Sequence, residues 1–201
     1  MQAGLSQRPG EVASGVTQLI TDEQLVAQIA AGDRGALGLL YRRHHVRVYR
    51  FLTRLTDNAA SAEDLTSDVF LEIWKEAGRF QGRSQVSTWM LGIARHKAMS
   101  ALRRRSTEPL DEAVAESIAD SAANAEAMLQ EQESVTLLRR CLTQLSAAHR
   151  EIVDLVYYHG KSIAEVAEIV GVPEATVKTR MFYARKRLAA LLAAHRFDAA
   201  A

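Results

Sequence analysis

From Thr21 to Arg105, and again from Val135 to about Leu192, isoleucine, valine and leucine recur at intervals of three and four rather than two. That spacing lays one apolar stripe along a helix, whereas a half-buried strand needs strict alternation. No Asn-Gly or Asp-Gly hairpin dipeptide interrupts the first stretch. The chain is therefore expected to be all-α. Composition fits: 201 residues with three prolines, 48% hydrophobic and 24% charged, exclude collagenous, mucin-like and disulfide-scaffold classes. Cys141, the single cysteine, cannot form an internal disulfide and sits in a leucine-rich helical pattern, where it reads as a small buried hydrophobe. No run approaches the ~20 apolar residues of a membrane span, and Met1 to Gln18 lacks the apolar core of a secretory signal. A cytoplasmic chain with no membrane insertion is expected.

The net charge of +1 hides a sharp division. Residues 1–105 carry 15 basic and 10 acidic groups, 106–134 carry no basic and 8 acidic, and 135–201 carry 10 basic and 6 acidic. Between Glu76 and Glu108 stand seven basic residues and no acidic one, and Lys178, Arg180, Arg185, Lys186, Arg187 and Arg196 follow Glu174 in the same way. Solvated helix faces usually mix signs to gain pairs one turn apart. Two unmixed basic segments fit a polyanion contacted twice, with two merely solvated basic faces as the alternative. The expected organisation is a disordered tail (1–20), a helical domain (21–105), a flexible acidic linker (106–125) and a second helical domain (126–195).

In the first domain, Thr21 opens a helix that Gly32 ends, and Asp33 caps the next, which places Leu37, Leu40, Tyr41, His44, Val48, Phe51 and Leu52 inward and closes at Asp57-Asn58. Ser61 with Asp64 resembles a weak capping box for a helix through Trp74. Gly78 to Ser87 is expected to be a loop, followed by a helix from Thr88 to about Arg105. In the second domain, Leu137, Leu138, Cys141, Leu142 and Leu145 form one amphipathic helix, and Ile152, Val153, Leu155 and Val156 form another that stops at His159-Gly160. Ser162 with Glu165 is a capping box for a short helix to Val170. Gly171 and Val172-Pro173 then turn the chain into a longer helix from Glu174. Helix, glycine turn and basic helix together make a helix-turn-helix.

At 100° per residue, Val177, Met181, Ala184 and Leu188 form the buried stripe of that last helix, so Lys178, Thr179, Phe182, Tyr183 and Lys186 face outward. Aromatics beside lysines suit a major groove, where they meet thymine methyls and sugars while lysine takes phosphate or guanine; a protein-docking patch is the competing use. On the helix from Thr88, the same construction buries Met90, Leu91, Ala94, Ala98, Ala101 and Leu102 and turns Thr88, Arg95, His96, Met99 and Arg103 away from the core. The polar, basic loop Phe80 to Gln85 before it has amide and hydroxyl groups suited to an unstacked base, or is a plain surface loop. Asp64, Asp68, Glu72 and Glu76 repeat at four-residue intervals on a helix that is apolar on more than one side, with Lys75 as the only offsetting charge on it. Such a surface suits a basic, helical protein partner or is a solvated edge. No phosphate-cradling glycine loop, H-E-x-x-H, C-x-x-C or G-x-S-x-G occurs, and the histidines lack metal-ligand spacing. No catalytic residue, metal or cofactor is expected.

Three stretches together resemble the extracytoplasmic-function group of bacterial RNA polymerase sigma factors, in the sigma-70 family. Ala62 to Trp74 (AEDLTSDVFLEIW) is similar to the family's polymerase-binding helix. Phe80 to Ser84 (FQGRS) followed by Ser87 to Arg95 (STWMLGIAR) is similar to its promoter-melting segment. Ser162 to Ala167 (SIAEVA) through Thr176 to Arg180 (TVKTR) is similar to its −35 reader. The resemblance implies docking on the clamp helices of the polymerase β′ subunit through Asp64, Asp68, Phe70 and Trp74. It implies −10 recognition by Arg83, Ser84 and Gln85, with Thr88, Arg95, His96, Met99 and Arg103 along the following helix. It further implies a second domain on the β flap that reads −35 DNA through Lys178, Thr179, Phe182, Tyr183 and Lys186, and control by an anti-sigma factor. His96 stands where many relatives have asparagine and Tyr183 where arginine is frequent, so no relative's promoter sequence carries over. The alternative is a helix-turn-helix regulator whose residues 1–105 sense or dimerise, which would bind duplex DNA without polymerase.

Overall fold

The computed structural model describes residues 20–107 and 127–198. Expectations of a disordered tail at 1–20 and a flexible linker at 106–125 therefore fall almost wholly outside the described residues. Those residues form eight α-helices and no strand: α1 (Asp22–Ala30), α2 (Arg34–Thr56), α3 (Ala59–Glu76), α4 (Val86–Thr107), α5 (Ala127–Thr143), α6 (Ala147–Val153), α7 (Ile163–Val170) and α8 (Glu174–Asp198). A 3₁₀ turn at Ala77–Arg79 follows α3, and a π-helical turn at Asp154–Tyr158 follows α6.

Caps set most of these boundaries. Thr21 accepts from the Gln24 amide while the Gln24 side chain accepts from the Thr21 amide, a reciprocal box that starts α1. Asp33 accepts from the Gly35 and Ala36 amides and starts α2. For α3 the expected cap is corrected: Asn58, not Ser61, holds the N-cap and accepts from the Ser61 amide. The α2–α3 corner is one residue pair tight, with Asp57 left-handed at φ 52°, so the residues that end one helix also begin the next. Helix α4 starts at Val86, two residues before the expected Thr88.

α1 to α4 pack around Leu25, Ile29, Leu40, Phe51, Leu52, Ile73, Met90 and Leu91, all almost fully buried. Tyr41, expected inward, is 40% exposed, and its ring instead covers the edge of buried Phe70 at 4.8 Å. The second core gathers Ile152, Leu155, Val166, Ile169, Val177, Met181 and Ala184. Cys141 is fully buried. The two cores meet, with α7 against α4 and α6 against α2. Phe51 of α2 stacks edge-on against His159 at 5.3 Å, and Arg54 lies over the Tyr158 ring at 3.9 Å while pairing with Asp154.

Candidate nucleic-acid and polymerase interfaces

The capping box at Ser162 is formed: its hydroxyl accepts from the Glu165 amide at 3.3 Å and Glu165 accepts from the Ser162 amide at 2.9 Å. Gly171 ends α7 in the left-handed region at φ 69°, which aims α8 across α7. Val177, Met181 and Ala184 are buried and Leu188 is partly buried, so the predicted stripe is the packed one. On the other side Lys178, Thr179, Phe182, Tyr183 and Lys186 are exposed, with Phe182 at 62% and Tyr183 at 54%. The two rings meet edge to face at 5.4 Å and form one ledge. Arg185 is engaged elsewhere, donating to the Tyr157 hydroxyl at 2.9 Å.

The second surface follows the loop and α4. Gly82 takes φ 65° and turns the loop so that Arg83 and Gln85 are exposed and Ser84 half-exposed. Trp89 packs at 4.9 Å from Phe80, which ties the loop to the helix it precedes. His96 and Arg103 are exposed, and Met99 is half-buried. Thr88 corrects the helical-wheel expectation: it is 1% exposed, because the start of α7 lies on it, and it donates to Glu165 at 2.6 Å. Arg95 is half-buried and donates through Nε to Glu151 of α6 at 2.7 Å. Between α4 and α7 an open cleft of about 650 Å³ is lined by Arg95, His96, Met99, Arg103, Ile169 and Gly171.

The third surface is α3. Asp64 and Asp68 are exposed and Trp74 is half-buried against the core. Phe70 is only 5% exposed, so it supports this face from beneath, while Leu71 is 57% exposed beside it. Leu71 was not among the docking candidates, although three aromatic or aliphatic residues competing for one stripe at Phe70, Leu71 and Trp74 already required one of them to face out. The acidic ladder is also less isolated than its own helix suggests. Lys97 of α4 donates to Glu72 at 2.9 Å, and its hydrogen bond and charge hold that carboxyl below the usual range. Arg79 pairs with Glu76 at 3.0 Å.

Two further charged side chains were missed by sequence reasoning, Lys161 and Glu151, at 5% and 7% exposure. Nothing local marks them, because their partners on α4 and the loop before it lie 56 to 76 residues away. No described helix is long and apolar enough to cross a membrane, and no group of three or more metal-ligating side chains occurs among the described residues.

The helical domains correspond to two family descriptions, sigma-70 region 2 over residues 40–108 and sigma-70 region 4 over residues 136–188. The ECF RNA polymerase sigma factor SigM of Mycobacterium tuberculosis is 37% identical over 176 residues, covering 86% of this chain and 85% of that protein. Among solved structures, the sigma factor RpoE in complex with the anti-sigma factor NepR from Bartonella quintana is 26% identical, covers 76% of this chain and 93% of its own, and superposes with a TM-score of 0.61. CnrH, solved with the cytosolic domain of CnrY, shares the fold at 24% identity and a TM-score of 0.62, covering 86% of this chain and 97% of its own. With both regions present in family order around a helix-turn-helix, the chain belongs to the extracytoplasmic-function group of sigma-70 family RNA polymerase sigma factors.

Proposed function

We propose that this sigma factor divides promoter recognition among the three surfaces described. The α3 face, with Asp64 and Asp68 exposed over Phe70 and Trp74, docks on the β′ clamp helices of core polymerase. The loop Arg83 to Gln85 holds an unstacked −10 base, and Thr88, Arg95, His96, Met99 and Arg103 line the path of the strand along α4. α8 enters the −35 major groove with Lys178, Thr179, Phe182, Tyr183 and Lys186 while its domain sits on the β flap. The chain catalyses no reaction of its own; the polymerase supplies the chemistry, and the sigma factor works in the cytoplasm. By analogy with the anti-sigma complex of its relative RpoE, an anti-sigma factor controls it.

The observation that carries this reading is the outer face of α8, where two large exposed aromatics stand among lysines opposite the packed stripe. Exposed aromatic area of that size costs solubility unless something covers it, and a groove with methyls and phosphates does so. The test is transcription in vitro with core polymerase and promoter templates. Initiation should depend on the added chain. Asp68→Arg, which reverses an exposed charge on α3, should lose co-elution with core while still folding. Undiminished core binding by that variant would remove the docking assignment.

A further inference from the structure

Two tyrosines leave the π-helical turn after α6 in different directions. Tyr158 reaches the first domain, where its hydroxyl accepts from Arg50 at 2.6 Å. Tyr157 reaches α8 instead: its hydroxyl accepts from Arg185 Nε at 2.9 Å, and the guanidinium carbon lies 5.6 Å from its ring centroid. This pair belongs to no core, because both side chains are exposed. A hydrogen bond so open to water adds little to folding. What it does is fix an arginine that would otherwise sample many rotamers.

Arg185 stands at the margin of the α8 surface assigned to −35 DNA. At 100° per residue it falls within about 20° of Lys178 and about 60° of Phe182, two turns and one turn further along the helix. Thr179 and Lys186 lie almost opposite the buried stripe, whereas Arg185 and Lys178 lie toward one side of it. A helix seated in a major groove turns the middle of its outer face to base edges and its margins to the sugar-phosphate walls. The bond to Tyr157 occupies Nε alone. Nη1 and Nη2, which have no partner among the described residues, are left as a parallel pair of donors, the fork that takes two oxygens of one phosphate. The acceptor is also neutral. Arg79, Arg95 and Lys97 face carboxylates that offset their charge, but a tyrosine hydroxyl orients Arg185 and leaves its full attraction for an anion.

We propose that Tyr157 is a positioning residue for DNA binding: it holds Arg185 at the edge of the −35 groove so that the two terminal nitrogens take one backbone phosphate. This rests on the assignment of α8 to −35 DNA and adds to it a contact that carries no base information. An arginine already set in its bound rotamer has lost, before DNA arrives, the freedom that association would otherwise cost. Affinity therefore gains from a hydroxyl that never touches the DNA.

Promoter binding by holoenzyme, measured against salt concentration on a template carrying the −35 element, tests this. Arg185→Gln should weaken binding about tenfold and make the slope of log affinity against log salt shallower by about 1, as loss of one phosphate contact does. Tyr157→Phe keeps the ring and removes the hydroxyl. It should weaken binding about threefold, and should weaken it no further in the Arg185→Gln background. Both losses should be the same on a template with one −35 base pair changed, and both variants should keep a helical circular dichroism spectrum and co-elute with core. An unchanged salt slope for Arg185→Gln, losses that simply add in the double variant, a loss that varies with the −35 base, or failed co-elution of a folded variant would overturn the proposal. The assignment of α8 fails by a different result, −35-dependent transcription left intact by Lys178→Glu with Lys186→Glu. Loss of that transcription beside an unchanged Arg185→Gln slope would remove the phosphate contact and leave α8 as the reader.

Discussion

A buried ammonium group is tolerated only when its protons find acceptors, and Lys161 meets hydroxyl, amide and carboxylate oxygens at 2.7 to 3.3 Å. Glu165 beside it shows the balance in numbers. Burial alone raises its pKa, but hydrogen bonds from the Thr88 hydroxyl, the Ser162 amide, Lys161 and the Ser162 hydroxyl outweigh that and lower it from 4.5 to about 2. These are tertiary effects, and neither residue stands out in sequence. Gly171 is the opposite case, a residue whose role is legible from its neighbours. It follows an apolar run, precedes Val-Pro and takes φ 69° with open space where a Cβ would sit. Gly171→Ala should therefore cost about 1 kcal/mol through backbone strain rather than collision. Thermal unfolding should show a lower Tm with the outer α8 residues unaltered.

At the scale of elements, capping and periodicity placed α1, α2, α7 and α8 because their start signals are local: Thr21, Asp33, Ser162 and the Gly171 turn each act within a few residues. The start of α3 was misplaced for a local reason too. Ser61 and Asn58 are both good caps, and the left-handed Asp57 decides between them by ending α2 one residue earlier. The π-helical turn after α6 had no sequence signal; it carries Asp154, Tyr157 and Tyr158 to the contact with α2 and to Arg185 of α8. For α8, the buried stripe and the outer face are separate enough that the outer one can be reversed in charge without touching the core. Lys178→Glu with Lys186→Glu should keep the fold and core co-elution and lose −35-dependent transcription by at least tenfold, measured on templates with and without the −35 element. Equal activity of the variant on both would remove α8 as the reader.

The whole molecule is a pair of small helical cores whose buried apolar residues form one continuous cluster, with polar contacts such as Thr88–Glu165 and Arg95–Glu151 between the two domains. Because the folded Glu165 pKa is depressed, its contribution to folding stability is present in full above about 4.5 and is lost as pH falls toward about 2; only the Thr88 share of it joins the two domains, the Ser162 and Lys161 shares lying within the second. The Glu165 share of thermal stability should thus stay constant between about pH 6 and 8 and fall on acidification below about 4.5, read as a lower Tm that Glu165→Gln no longer shows. The charge map changes at this scale as well. The run from Arg79 to Arg105 has no acidic residue within it, yet Arg79, Arg95 and Lys97 are paired to Glu76, Glu151 and Glu72. These pairs leave less net basic charge on that run in the folded molecule than its sequence implies.

By itself the sequence determined the helical class, most of the helix starts, the helix-turn-helix and the outer face of α8, because a 3.6-residue period, a cap and a glycine turn act over a few neighbouring residues. Only the tertiary structure decided that Thr88 is buried, that Arg95 is paired, that Phe70 supports its surface from within while Leu71 lies outside, and that carboxylates of the second domain meet the basic helix of the first. The Thr88 and Arg95 outcomes depend on partners 77 and 56 residues away, brought together by packing that no local pattern encodes.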